Sequence, residues 1–456
     1  MRNKMMDKNE RYSLTQGGVL KKLLMVAVPI MGTQALQMAY NITDMFWLGR
    51  VGNVAVAASG AAGMYMWLSF GFLIIGKMGA EIGISQAIGK GDRGEAQVFF
   101  RHSLYIGAAL GLFCALAMIL GNRLLAAFFP FREPALAEET AAYLAIIGWG
   151  MLPSFVSGVI ASAFTAAGNS RTPFILSAIG LACNALLDPV CILVLGWGIR
   201  GAAAATVLSQ LLVFILMISG AVRFRDRPFE TCPFLGRIDL CRLVQILKWA
   251  LPIGLESLLF CFLSMLCSRI EARFGANAMA AGRIGSQIES MSWLIGGGFG
   301  SALVIFVGQN FGAGKPERIR RGIRISAAVM GAWGVLVGAV LCVSGQFVFS
   351  VFLPDPEIAR LGRYYCFIAA VSQIPMNLEA VWSGGFKGTG RTLPPALVSI
   401  TVNALKPVLA ALLSRTSLGL FGVWVGVSCA AIIRGLWLGL WYGVAERRTV
   451  PVIRPE

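Results

Sequence analysis

"AVPIMGTQALQMAYNITDMFWLGRVG", residues 27–52, is apolar over most of its length, yet it carries a proline, several amides and one carboxylate, Asp44. It is long enough to cross a bilayer as a helix, which takes about 20 apolar residues. Its ends return about 223 residues later: "AVPI" at 27–30 faces "ALPI" at 250–253, and "GRVG" at 49–52 faces "ARFG" at 272–275. The register then holds along the chain. "SQAIGKGD" at 85–92 faces "GQNFGAGK" at 308–315, "AAGNSRTP" at 166–173 faces "GTGRTLPP" at 388–395, and "CNALLDPV" at 183–190 faces "VNALKPV" at 402–408. Pro153 and Pro375 each precede a glycine, Gly168 and Gly390, by fifteen residues. One near-constant shift across so many matches marks an internal duplication.

The composition agrees with a membrane chain. Of 456 residues 57% are hydrophobic and only 13% charged, with a mean hydropathy of +0.73, whereas soluble domains run nearer to about a quarter charged. Windows of spanning length fall at 23–48, 54–86, 99–121, 136–165, 173–195, 201–222, 246–272, 279–306, 323–349, 358–386, 393–413 and 421–444. The first is longer than a signal-peptide core and no small-residue cleavage site follows it, so it is expected to be retained. No ten-residue alternation of the kind a membrane barrel needs is present. The fold class is therefore all-α: twelve spans in two six-helix lobes. Six spans per half return the chain to its starting side, so the repeats are parallel. The expected organisation is an N-lobe over 1–222, a basic connector over 223–244 and a C-lobe over 245–456.

The net charge of +17 is distributed as a membrane protein distributes it. With the N-terminus inside, the inner segments hold 26 of the 39 Lys and Arg, including Lys21, Lys22 and the basic run Lys315–Arg324. The outer loops hold 8: Arg50, Arg123, Arg132, Arg200, Arg273, Arg360, Arg363 and Arg415. This bias places both termini in the cytoplasm of a cell membrane and leaves no need for a nucleic-acid partner. Ten cysteines are scattered without a C-x-x-C pair, which argues against disulfides and zinc sites. His102, the only histidine, sits near an inner helix end. No phosphate-binding loop is present to support ATP-driven transport, and no cofactor is expected.

Charged groups at mid-bilayer cost about 2.5–3.5 kcal/mol on insertion scales, so each invites a functional explanation. At about 1.5 Å per residue, Asp44 in the first span, Tyr143 in the fourth, Asp188 in the fifth and Thr206 in the sixth all fall in the outer third to half of the membrane. Asn184 and Asp188 share a helix face at four residues' spacing, and Gln37 and Asp44 do so at seven. Pro189 removes a backbone donor directly after the acid. The picture is a polar pocket in the first lobe, lined by two carboxylates, two amides, a phenol and a hydroxyl. Burial and a nearby acid both disfavour full ionisation of such a pair, so the pocket suits a proton, and its oxygens suit Na⁺. The rival explanation is that Asp44 merely reaches water from a helix end.

The second half breaks the symmetry. Asp44 faces Cys267, and the Asp188 region faces Leu405 or Lys406. Its acids lie elsewhere: Glu256, Glu271 near an outer end, Glu289 and Glu379. Glu256, Glu379 and Lys406 form the expected C-lobe charged site, as a structural ion pair or as a contact for substrate, with Arg269 and Arg283 as further partners.

These stretches, with "AEIGISQAIGKGD", "NALLDP" and "GIRGAAAATVLSQ", resemble the multidrug and toxic compound extrusion (MATE) transporters over nearly the whole chain. The resemblance implies a V-shaped pair of six-helix lobes and antiport of organic, often cationic, compounds against H⁺ or Na⁺; small organic substrates and the lipid bilayer are the expected partners, and a monomer is expected. In the prokaryotic branch with an acidic N-lobe site, it assigns cation coupling to Asp44, Asn184 and Asp188, with a metal role for these three only if Na⁺ is the ion. It assigns support to Gln37, Tyr143 and Thr206, and bending of helix 1 to Pro29. The other bacterial branch uses a helix 7 Glu and a helix 10 Asp. Glu256 sits too close to Pro252 to match, and Glu379 is about a turn off. Met38, Met64, Met66, Trp67, Phe155 and Trp293 are either packing or an adaptable apolar wall for substrate. A lipid-linked oligosaccharide flippase of the same broad architecture is the alternative, although it would want clustered arginines for diphosphate. An intramembrane aspartyl protease fits poorly, since no Gly-x-Gly-Asp stretch exists and the duplication would have no role; no enzyme activity is expected.

Overall fold

The computed structural model describes residues 12–129, 134–223, 228, 229, 234, 236–352 and 356–449. Much of the expected connector (224–227, 230–233 and 235) and Arg132 lie outside the described residues. Twelve long helices carry the described chain: α1 Val19–Val51, α2 Asn53–Lys90, α3 Arg93–Leu120, α4 Pro134–Ala166, α5 Arg171–Pro189, α6 Gly198–Arg223, α7 Leu240–Glu271, α8 Ala276–Gly312, α9 Pro316–Phe352, α10 Pro356–Gly388, α11 Leu393–Leu413 and α12 Leu420–Thr449. Each of the twelve expected spans lies on one of them. Eleven are long and apolar enough to cross a membrane. The twelfth, α10, falls short because Ser372, Gln373, Asn377 and Glu379 interrupt its apolar stretch.

Large apolar side chains stand exposed on the outside of these helices, among them Leu120, Trp149, Val194 and Phe347. Water would penalise such a surface; hydrocarbon requires it. Lipid on the outside also removes the usual drive to bury apolar area, so helices associate through small residues that let backbones approach. A Cβ on Gly76 of α2 would lie 3.1 Å from the Cα of Gly107 on α3, and one on Gly107 would meet Val159 of α4 at 2.7 Å.

The duplication is visible in local geometry. α2 ends on Gly91 at φ 82°, and its repeat mate Gly314 stands at φ 64° after α8. Both positions need the left-handed conformation that glycine adopts without strain. Asp92 then caps α3, its side chain accepting from the Glu95 N–H at 2.8 Å. At the turns before α6 and α12, a Cβ on Gly201 would lie 2.4 Å from the Cys191 carbonyl oxygen, and one on Gly422 would lie 2.3 Å from that of Leu413.

Packing divides the chain into two compact units, one built on Val28–Gly254 and the other on Leu14–Ala27 together with the chain from Leu255 onward. Division by chain order alone, at 222 and 245, differs from this at two helices. α1 begins in the second unit and continues in the first, and α7 begins in the first and continues in the second. Each changes unit within two residues of its own proline, Pro29 or Pro252. A proline lacks the N–H that would continue the ladder and frees a carbonyl one turn earlier.

Candidate functional site

The polar cluster of the first unit is built by side chains from α1, α4, α5 and α6. Asn184 Nδ2 donates to Asp188 Oδ1 at 3.1 Å, one helical turn apart, and both side chains are fully buried. Pro189 follows, and the helix widens to a π-helical turn over Val190–Val194, in which the Leu195 N–H donates to the Val190 carbonyl at 2.9 Å. Such bulges recur at functional sites. Here the proline's missing donor starts the change of winding beside the acid.

Asp44 comes from α1, and its carboxyl interacts with Asp188, Asn184 and Thr206. Tyr143, from α4 and 4% exposed, faces both carboxyls. The structure thus brings together Asp44, Tyr143, Asn184, Asp188 and Thr206. Gln37 lies two turns before Asp44 but is exposed and outside this set. Tyr40, which sequence reasoning missed, joins it: its hydroxyl donates to the Thr206 carbonyl oxygen at 3.5 Å and lies near both acids. It sits four residues before Asp44, so helical spacing alone could have found it.

Four buried oxygens here form no hydrogen bond of good geometry, although Asp44 stands within looser polar reach of Asp188, Asn184 and Thr206: Asp44 Oδ1, Asn184 Oδ1, Asp188 Oδ2 and Thr206 Oγ1. An unsatisfied buried acceptor costs on the order of 1–3 kcal/mol. Among the described residues, no Lys or Arg acts on either carboxyl. Oxygen-only ligands around two acids match a proton or a hard monovalent cation. No group of three or more His, Cys, Asp and Glu among the described residues could hold a metal ion.

The second unit places its expected charged residues in two neighbouring sets. Glu379 pairs with Arg434 at 3.3 Å, and Glu256 lies in their field beside Ser399, with its Oε2 buried and unpartnered. Lys406 instead lies in the field of Cys267, Arg434, Glu289 and Glu271, and among the described residues no carboxylate pairs with it within 4 Å. Glu289 accepts from Tyr365 Oη at 2.7 Å and from Gln373 Nε2 at 3.3 Å. Glu271 accepts from Trp424 Nε1 at 2.7 Å. Arg434 was missed in the sequence although it stands alone in an apolar run. Arg269 and Arg283, the partners expected for these acids, are exposed and form no ion pair among the described residues. Of the apolar wall, Phe155 is core, while Met64, Trp67 and Trp293 are exposed.

Pro29 sits inside α1, where the Thr33 hydroxyl donates to its carbonyl oxygen at 3.0 Å.

The MatE family model matches residues 29–190 and 252–412, one match in each half. The chain is 28% identical over 440 residues to a probable multidrug resistance protein NorM of Thermotoga maritima, covering 95% of this chain and 94% of the relative. It is 27% identical over 438 residues to the probable multidrug resistance protein YpnP of Bacillus subtilis, covering 92% and 96%. Two solved structures share its fold at 20% identity. A MATE protein in its bent conformation aligns with TM-score 0.90 over 96% of this chain and 98% of that one. An outward-facing multidrug resistance MATE family transporter of the MOP superfamily aligns with TM-score 0.90 over 97% and 98%.

Proposed function

The chain belongs to the MatE family, and from that premise we propose that it is a multidrug efflux transporter working as a secondary antiporter, which exports amphipathic, often cationic, organic compounds in exchange for H⁺ or Na⁺. The observation that carries this reading is the meeting of two carboxyls from α1 and α5, with Asn184 and Thr206 beside them, where four buried oxygens form no hydrogen bond of good geometry and no Lys or Arg is paired with either acid. Such a set gains more from a cation than from water, and it draws on three helices, so loading it ties their positions together.

The cycle follows from linkage. A ligand shifts a conformational equilibrium only through differential affinity for the two states, and the effect is reciprocal between ligands. Compound enters from the cytoplasm or inner leaflet. An external cation then settles between Asp44 and Asp188, with Asn184 and Thr206 supplying further oxygen and Tyr143 and Tyr40 walling the pocket. Drawing Asp44 toward α5 moves α1, which yields near Pro29, and the changed cavity loses affinity for the compound. Both termini lie in the cytoplasm, the membrane is the cell membrane, and the unit of function is the monomer. The flippase alternative needs free basic side chains for a diphosphate; here Arg434 is engaged by Glu379 and Lys406 lies in the field of Glu271 and Glu289.

The test is dye export from proteoliposomes under an imposed pH gradient and, separately, an imposed Na⁺ gradient. One of the two drives ethidium against its concentration. If neither gradient accelerates export above the leak of empty liposomes, the antiport reading fails.

A further inference from the structure

The pocket of the first unit has a counterpart in the second. The repeat shift of 223 sets Cys267 at the place of Asp44 and Phe260 at that of Gln37, and a shift of 222 sets Tyr365 at that of Tyr143. Asn403 takes the place of Asn184, and Lys406, one residue out through a deletion, stands where Asp188 does. Cys267 and Lys406 lie in each other's field, at the places where Asp44 and Asp188 stand within hydrogen-bonding reach. The same construction therefore holds a thiol and an ammonium where the first unit holds two carboxyls.

The countercharges come from outside the repeat mates, and the packing is shaped to admit them. Glu271 stands one turn after Cys267 on α7 and Glu289 stands on α8. A Cβ on Gly282 of α8 would lie 2.7 Å from one Glu271 carboxylate oxygen and 2.8 Å from the other. A Cβ on Gly285 would lie 2.4 Å from the Tyr365 ring, whose hydroxyl reaches Glu289. The Lys406 ammonium sits 5.5 Å from the centroid of the Phe260 ring, a face that attracts cations. Asp44 and Asp188 each keep a buried oxygen without a well-formed hydrogen bond, whereas Glu289 accepts at both oxygens, from Tyr365 and Gln373, and Glu271 accepts from Trp424.

We propose that Lys406 is a tethered cation: its ammonium takes in the second unit the role that the exchangeable ion takes in the first, so the second pocket is permanently loaded and the transporter has one exchangeable cation site. The proposal rests on the reading of Asp44 and Asp188 as the coupling pair. A tethered group competes at an effective concentration on the order of millimolar or more, and it cannot be released on either side, so it contributes no coupling. The groups acting on Lys406 are Cys267 and Glu271 from α7, Glu289 from α8 and Arg434 from α12.

The test is thermal unfolding of the purified full chain in detergent, with NaCl exchanged for choline chloride at constant ionic strength, and as a function of pH. In Asp44→Asn/Asp188→Asn protein, the Na⁺-specific or proton-linked shift of the midpoint disappears. Adding Lys406→Met to that background restores a saturable cation-dependent rise of about 3 °C or more, and Glu289→Gln removes it again. The proposal is overturned if folded triple variant shows no such rise. It is also overturned if the Asp44→Asn/Asp188→Asn protein, with Lys406 intact, keeps a cation-dependent shift that Glu289→Gln abolishes. That second arm needs no change at Lys406, so it decides even if Lys406→Met does not fold. A residual shift that survives Glu289→Gln points instead to a cation site elsewhere, which overturns the coupling-pair reading and this proposal with it.

Discussion

In the first unit, two acids meet with no basic side chain acting on either, and an oxygen of each stays buried without a well-formed hydrogen bond. In the second, acids and bases occur together: Glu379 with Arg434, and Lys406 in the field of Glu271 and Glu289. Both pockets are built on the same duplicated framework, down to the tyrosine pair Tyr143 and Tyr365. Charge balance, more than helix geometry, separates the two pockets. The comparison can be broken at either pocket.

The largest effect is expected at Asp188. Asp188→Asn keeps the size of the side chain and removes the charge that an entering cation would neutralise. Gradient-driven ethidium export should fall at least tenfold, equivalent to about 1.4 kcal/mol or more, while the protein still reaches the membrane and binds dye. Export by Asp188→Asn at the unmutated rate would separate the pocket from coupling.

The corresponding change in the second unit should act on stability. Glu379→Gln leaves Arg434, 14% exposed, without its carboxylate partner. Removing one member of a buried pair costs about 3–5 kcal/mol, and partial exposure brings the expectation down to about 2 kcal/mol. The readout is a lower unfolding midpoint in detergent, with the ion dependence of export unchanged.

A smaller contrast lies in the glycines of α2 and α8. Gly285→Ala would drive a methyl into the Tyr365 ring, whereas Gly60 of α2 has nothing within 4 Å of a Cβ. Overpacking costs about 1–3 kcal/mol, so Gly285→Ala should destabilise. Gly60→Ala should be neutral or slightly stabilising, by up to about 1 kcal/mol through helix propensity. Equal effects at the two positions would mean that the α8 notch is not specific.

How far these differences were legible in the sequence depends on the kind of signal. The spans and the duplication were legible because hydropathy and register are properties of the chain itself. Asp44, Asn184 and Asp188 could be assembled because depth follows residue count along a straight helix, and an i, i+4 pair shares a face. Gln37 shows where that reasoning stops: spacing puts it on the face of Asp44, but its side chain is exposed where those of Asn184 and Asp188 are fully buried. Pairing in the second unit was harder. The partner of Glu379 is on α12, and no spacing rule links residues 55 positions apart, Glu379 and Arg434. Likewise the compact units trade parts of α1 and α7, which chain order cannot reveal.

The smallest expected effect concerns Tyr40, where the repeat itself offers the control. Its mate in the second half is Leu263, so the fold tolerates an apolar side chain at this point of the framework. Tyr40→Phe removes only the hydroxyl, whose bond to the Thr206 carbonyl is long at 3.5 Å. A hydrogen bond of ordinary geometry contributes about 0.5–1.5 kcal/mol net, and this one should lie at the lower end. The expected result is an apparent affinity for the coupling ion weakened about twofold, with the unfolding midpoint close to that of the unchanged protein. A loss as large as that at Asp188 would make the phenol a direct participant in holding the ion, and the pocket would then need its hydroxyl as a further ligand.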